Sequence, residues 1–249
     1  MINNEDRKRY HRQLIIDQWG DEVQEKLSHT RVTLIGAGAL GSPAALYLAA
    51  AGIGRLKIID KDKVELSNLN RQIIHEESLI GLPKADSAGK RLNALNSSIE
   101  IETLEAEFNN ETAEAFCEDT DILVDCLDSF SVRKVLNRWA VIKKTPLVHA
   151  GISGGGGQIT VVPAGGKPCL ECIFPQAPDQ ENIPVLGAAA GILGSMEAME
   201  VIKLISGIGK PLTRRLLICN FFTADYQEIE LRYYPDCPVC GKESNRAVS

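Results

Sequence analysis

The segment Gly36-Ala37-Gly38-Ala39-Leu40-Gly41 lies between an apolar run, Val32-Thr33-Leu34-Ile35, and an Ala/Leu-rich stretch that stops at Gly52. A strand passing into a helix through glycines at this spacing makes a tight turn. Its backbone N–H groups and the helix N-terminus are placed to hold phosphate. The glycines alone occur in many folds. Here a strand before, a helix after and an acidic residue, Asp60, about 20 positions on all agree with a nucleotide-binding βαβ unit.

The chain around this unit alternates strand and helix. Leu56-Lys57-Ile58-Ile59 predicts a second strand ending at Asp60, and Lys84 to Asn96 a helix with Ala85, Ala88, Leu92 and Leu95 on one stripe. Strands follow at Ile99–Leu104, Ile122–Val124 and from Leu147, with Ser129 as a helix cap between the last two. The expected fold is therefore α/β: a doubly wound, Rossmann-like and mainly parallel sheet. After Gly157 the pattern changes. Strands at Gln158–Val162, Leu216–Cys219 and Gln227–Arg232, with a long helix from about Ala188 to Ser206, predict antiparallel strands extending the same sheet. The glycines from Gly154 to Gly157 read as a flexible turn, and residues 242–249 as a frayed tail. No linker or repeat divides the chain, so residues 1–249 are expected to form a single domain. Its nucleotide part would span about 29–157 and a second part about 158–241.

Two Cys-x-x-Cys pairs, Cys169/Cys172 and Cys237/Cys240, supply the four thiolates of a tetrahedral structural zinc. Pro238 and Gly241 give the second pair the turn chemistry of a zinc knuckle. A redox dithiol is the competing reading. Cys117, Cys126 and Cys219 lie in apolar strand or helix contexts and are expected to be packing residues.

Composition narrows the function. A net charge of −6 over 249 residues argues against nucleic acid or an anionic membrane as partner. The start, Met1-Ile2-Asn3-Asn4-Glu5-Asp6, lacks the apolar core of a signal peptide, and no run reaches the roughly 20 apolar residues of a spanning helix. A cytoplasmic protein is expected.

Asp60 invites an NAD reading, because a carboxylate there can accept from a ribose. The polar residues that follow argue otherwise. Arg71 and Lys84 flank the site from successive segments and suit a triphosphate better than a dinucleotide. Asp128, at the C-terminal end of a strand among phosphates, is placed to hold magnesium. The plainer alternative for each residue alone is a solvated cation or a helix-cap carboxylate.

Together these residues resemble the ubiquitin-activating-enzyme-like superfamily, and within it the MoeB/ThiF (HesA) type of sulfur-carrier adenylyltransferase, nearest to those serving molybdopterin synthase. The similar stretches are Arg9-Tyr10-His11-Arg12-Gln13, Ile35 to Gly41, Ser67-Asn68-Leu69-Asn70-Arg71-Gln72, Gly81-Leu82-Pro83-Lys84, Asp125-Cys126-Leu127-Asp128, Gly157-Gln158-Ile159, Gly194 to Glu200 and both cysteine pairs. The resemblance implies ATP-dependent adenylation of the C-terminal Gly-Gly carboxylate of a small ubiquitin-like sulfur-carrier protein, with release of pyrophosphate. It implies that Gly36, Gly38, Ala39, Gly41, Asp60, Asp62, Ser67, Asn68, Leu69, Asn70 and Ser129 surround the nucleotide. Arg71 and Lys84 would stabilise the triphosphate and Asp128 would bind Mg2+. Arg12 would reach the ATP of a neighbouring subunit, so a homodimer is expected. Thiamin-pathway and other sulfur carriers remain alternatives, with an NAD-dependent oxidoreductase more distant.

One departure stands out. Related enzymes often carry a cysteine in the segment before the last long helix; the matching position here is Gln180, and residues 176–190 contain no cysteine. A covalent enzyme–carrier step at that position is not expected, and sulfur is expected from a separate donor protein.

Overall fold

A computed structural model describes residues 2–179 and 182–241; the expected frayed tail and Gln180 lie outside the described residues. Three N-terminal helices, α1 (Asn4–Arg9), α2 (His11–Leu14) and α3 (Gly20–His29), lead into β1 (Arg31–Ile35), α4 (Gly41–Ala51) and β2 (Arg55–Asp60). There follow α5 (Lys84–Leu95), β3 (Glu100–Glu105), α6 (Ala113–Cys117), β4 (Ile122–Asp125), α7 (Phe130–Lys143) and β5 (Leu147–Ser153). The remainder is β6 (Gly156–Val162), α8 (Leu170–Ile173), α9 (Gly187–Ser206), β7 (Arg215–Asn220) and β8 (Asp225–Glu230).

The strands form one eight-stranded sheet in the order β3-β2-β1-β4-β5-β6-β7-β8. The pairs from β3 through β5 are parallel, and those from β5 through β8 are antiparallel. The doubly wound fold with its antiparallel extension is as expected. The order in which strands are added reverses between β1 and β4, the chain moving outward from β1 to β3 and then returning to place β4 on the other side of β1. Ligands bind such folds in the crevice at this switch point.

The central strands are buried on both faces, which explains their unbroken apolar runs. Successive side chains point to opposite faces. Leu34, Ile58, Val124 and Val148 pack beneath α3, α4, α5 and α9. Their neighbours Ile35, Ile59, Leu123 and Leu147 pack with α6, α7 and the four knuckle cysteines. Helix α4 ends at Gly52, whose left-handed backbone (φ 88°) closes it.

Three local expectations need correction. The last strand starts at Asp225 rather than Gln227, because the turn after Asn220 sets the register Asn220↔Asp225. Gly156 and Gly157 are strand residues paired with Ser153 and Ile152, so the turn occupies only Gly154 and Gly155. Ser129 stands at the N-cap of α7 without capping it with its own side chain. Its hydroxyl instead turns to Asp179 (3.0 Å), and the Asp179 carboxylate accepts the Ser131 N–H (2.9 Å). An ionised acceptor caps better than a hydroxyl.

Helix α9 packs closely along α4. A Cβ on Gly194 would stand 2.3 Å from the Leu40 carbonyl oxygen, whereas one on Gly191 would meet nothing within 4 Å. These two glycines therefore predict opposite outcomes. Gly194→Val should destabilise by about 3 kcal/mol through overpacking against backbone. Gly191→Ala should be neutral or stabilising by up to about 1 kcal/mol from helix propensity. Thermal unfolding of both variants checks this, and equal melting temperatures would contradict the packing.

Candidate nucleotide site and cysteine cluster

A crevice of about 790 Å³ opens at the C-terminal ends of the parallel strands, where β1, β2, β4 and β5 end. Its floor is the glycine loop. Gly36 is left-handed (φ 100°) and donates its N–H to the Ile59 carbonyl at 2.8 Å. A Cβ on Gly36 would lie 2.6 Å from the Cys126 carbonyl oxygen, and one on Gly41 would lie 2.0 Å from the Gly36 carbonyl oxygen. No larger residue fits either place.

Asp60 anchors this loop. One carboxylate oxygen accepts the Ala37 N–H at 2.7 Å and the other the Asp62 N–H at 2.8 Å. Burial raises its pKa, opposed by those two amides and the charge of Lys84. His75 completes the hold from the other side, its Nε2 lying 3.0 Å from the Ala37 carbonyl and its Nδ1 2.9 Å from the Ser87 hydroxyl. Nε2–H must donate to the carbonyl, and in the neutral ring the hydroxyl donates to Nδ1. Burial lowers the His75 pKa to about 4, with Lys84 adding to the effect against the Ala37 carbonyl.

The charged residues converge on the same crevice. Asp62, Arg71, Asp128 and Ser129 belong to its wall, together with Gly36, Gly38, Ala39 and Asp60. Lys84, itself buried, stands behind Asp62 in a 2.9 Å ion pair. Arg71 is steadied by the Ser67 carbonyl (2.8 Å) and the Asn70 side chain (3.0 Å). Ser67, Asn68, Leu69 and Asn70 form the turn that carries Arg71 and are not part of the wall. Gly41 lies beneath the loop. Arg12 stands elsewhere, on a separate basic surface with Arg7, Lys8 and His11.

The far end of the crevice is formed by Gly151, Ile152 and Ser153 on β5 and by Asn182, Ile183 and Val185 before α9. Gln72, Phe108, Arg133 and Gln158 also line it. None of the four was among the expected site residues. Gln72 and Gln158 had a signal, their places in the Asn-x-x-Arg-Gln and Gly157-Gln158-Ile159 stretches; Phe108 and Arg133 had none.

On the other sheet face, the sulfurs of Cys169, Cys172, Cys237 and Cys240 all lie within 4.8 Å of one another. Two of the separations are 3.7 Å (Cys169–Cys237) and 3.4 Å (Cys172–Cys240). Zinc at about 2.3 Å from four sulfurs requires edges of about 3.8 Å, so the cluster fits a tetrahedral ion. Turns hold both pairs: the Cys172 N–H donates to the Cys169 carbonyl (3.0 Å) and the Gly241 N–H to the Cys237 carbonyl (2.8 Å). The other three thiols are buried packing residues, as expected. Burial pushes Cys117 up to about 12, Cys126 well above the usual thiol range and Cys219 upward.

Two outcomes follow. Cys237→Ser should lower bound metal and thermal stability together, from about one zinc per chain in the wild type; metal analysis with thermal unfolding checks it. His75 has a depressed folded-state pKa, so the unfolded chain binds the proton first on acidification. Its contribution is complete above about 6.5 and is lost as pH falls toward about 4. The stability gap between wild type and His75→Gln should therefore shrink over that window in urea unfolding, and a constant gap would contradict a neutral ring.

Comparison with known proteins agrees with this geometry. The sequence matches the ThiF family over residues 10–239. It is 41% identical over 248 residues to the adenylyltransferase and sulfurtransferase MOCS3 of Anopheles gambiae, covering 97% of this chain and 56% of that protein. The chain thus spans little more than half the length of that relative. It is 38% identical over 250 residues to the sulfur carrier protein adenylyltransferase of Thermus thermophilus, covering 96% of this chain and 92% of that protein. The crystal structure of E. coli MccB with ATP superposes with a TM-score of 0.83 at 25% identity, covering 96% of this chain and 75% of that one. The chain is a member of the ThiF family.

Proposed function

We propose that this protein adenylates the C-terminal Gly-Gly carboxylate of a small ubiquitin-like sulfur-carrier protein, using ATP and releasing pyrophosphate, in sulfur transfer of the molybdopterin type. The observation that carries this reading is the convergence of the glycine loop, Asp60, Arg71, the Asp62–Lys84 pair and Asp128 on one crevice at the sheet's switch point. The MccB structure holds ATP, and both sequence relatives are named adenylyltransferases. Fixed cations beside the ribose carboxylate suit a triphosphate, and they weigh against an NAD-dependent oxidoreductase. A thiamin-pathway or other sulfur carrier is the alternative within the same chemistry.

In this reading the glycine loop and Asp60 hold the nucleoside and its first phosphate. Arg71 and Lys84 neutralise the outer phosphates. Asp128 faces the crevice among them and would hold Mg2+, which neutralises phosphate charge when bound. The carrier's carboxylate oxygen attacks the α-phosphorus; the bond to the bridging oxygen breaks, and pyrophosphate leaves with that electron pair. The nucleophile is already ionised, so no general base is required, and catalysis rests on position and charge. The carrier tail would enter past Ser153 and Asn182. With Cys117, Cys126 and Cys219 buried as thiols, and thiolate the reactive form, no enzyme–carrier thioester is expected. A separate protein would then supply the sulfur.

The same reading takes residues 1–249 as one domain, with nucleotide contacts from about 29–157 and carrier contacts and structural zinc from about 158–241. Arg12 would serve the neighbouring subunit of a homodimer. No described helix is long and apolar enough to cross a membrane.

ATP–pyrophosphate exchange with a carrier ending in Gly-Gly tests the proposal. Arg71→Ala and Asp128→Ala should each reduce exchange by about a hundredfold or more, a loss of roughly 3 kcal/mol per preorganised charge. Undiminished exchange in both variants would overturn the assignment of the phosphate site.

A further inference from the structure

Helix α9 touches the crevice from behind at three places. A Cβ on Gly187 would stand 2.4 Å from the Asn70 carbonyl oxygen, and one on Gly194 would stand 2.3 Å from that of Leu40. Between the sheet and the helix, Glu197 is fully buried, and its Oε2 lies 3.5 Å from the Cys126 sulfur. One helix therefore spaces the Arg71 turn, the glycine loop and the residues that follow β4.

Cys126 is the pivot of that last contact. Its N–H donates to the Ile35 carbonyl at 3.0 Å, and its carbonyl packs on Gly36. Leu127 follows, with its N–H on Asp125 Oδ1 at 3.1 Å and its carbonyl accepting from Arg133. Asp128 is next. A shift of Cys126 away from the sheet would move both Gly36 and Asp128.

We propose that Glu197 is a positioning residue for the adenylation site, holding Cys126 from behind the sheet and, through it, the Leu127–Asp128 turn in line with the glycine loop. The inference rests on the adenylation reading for its kinetic consequence, but not for its structural one.

Glu197 shares its burial with a second carboxyl group, Asp125, and the nearby donors are divided unequally. Asp125 accepts from His149 Nδ1 (2.7 Å) and from the Leu127 N–H (3.1 Å), and Arg133 Nε lies 3.6 Å from it. Glu197 has the Cys126 thiol, a weak donor, and a weaker approach of the Ala150 N–H, while its Oε1 makes no well-formed hydrogen bond. Two neighbouring buried carboxyls do not both ionise when the compensating groups belong to one of them. The compensating donors belong to Asp125, so Glu197 remains a carboxylic acid. Burial first, then the charge of Asp125, holds Glu197 well above the usual carboxylate range, against weaker opposing effects from the thiol, Arg133 and the Ala150 N–H. An uncharged acceptor of this shape has a close substitute in glutamine, which separates this role from that of an ionised catalytic carboxylate.

Glu197→Gln and Glu197→Met, which fills the same space without an acceptor, provide the test. Met should lower kcat of carrier-dependent pyrophosphate exchange by about tenfold to a hundredfold, as expected for a displaced catalytic turn. KM for ATP should change by less than about threefold, since the loss falls on alignment rather than on uniform binding. Gln should restore kcat to within about threefold of wild type. Hydrogen exchange, measured without carrier or ATP, should show the Leu127 amide less protected in Met and near wild type in Gln. If Gln is as impaired as Met in both measurements, an uncharged strut is the wrong account. If Met leaves Leu127 protection unchanged, Glu197 does not position the turn. Absence of pyrophosphate exchange in the wild type with suitable carriers would count against the adenylation reading, and Leu127 protection would still decide the role of Glu197.

Discussion

The tightest constraint in the molecule is the backbone contact at the glycine loop. Gly41 folds onto the carbonyl of Gly36, and Gly36 lies against the carbonyl of Cys126 at the end of β4. These contacts bring α4, β1 and β4 to a single point beneath the crevice. Everything charged in the site is arranged around that point. Asp60 ties the loop to β2 through the Ala37 N–H, and His75 ties the same residue to Ser87 on α5 through the Ala37 carbonyl. With the Ala37 N–H and C=O both held, the two peptide groups that flank its Cα are set before any ligand arrives, which reduces the ordering that binding must supply.

The opposite sheet face is held by the cysteine cluster, which is linked to the crevice through α7. The Leu170 N–H, beside Cys169, donates to Asn137 near the middle of α7 at 2.9 Å. Phe174, just past Cys172, meets the Phe130 ring at 5.6 Å, and Asp179 caps the first turn. The segment carrying the first cysteine pair therefore grips α7 from its middle to its N-terminus, next to Asp128. Disruption of the cysteine cluster would loosen a brace for the site as well as a peripheral knuckle.

Much of this was legible in the sequence where local chemistry decides the outcome. Val32 to Ile35 reads as a strand because it is apolar on both faces, and Gly52 as a helix end because only glycine closes it cheaply. The cysteine spacing announced its cluster. Where long-range partners decide, local reading fell short. Ser129 looks like a helix cap, but Asp179, fifty residues on, outcompetes it. Gly156 and Gly157 look like a turn, but close strand approach on both sides draws them into β6. Gln72 reads as part of a motif, whereas Phe108 and Arg133 enter the crevice only because their elements end there. Glu197 resembles a polar residue on a helix surface, until α9 presses it against Cys126 and Asp125.

Oxygen transfer from the carrier to AMP tests the central claim most directly. A carrier whose C-terminal carboxylate is labelled with heavy oxygen should be incubated with the enzyme, ATP and magnesium, and the adenylate discharged with hydroxylamine. If the carboxylate attacks the α-phosphorus in this crevice, one labelled oxygen appears in the phosphate of AMP. AMP formed without label would mean that the carboxylate is not the nucleophile, and the account of the site would fall.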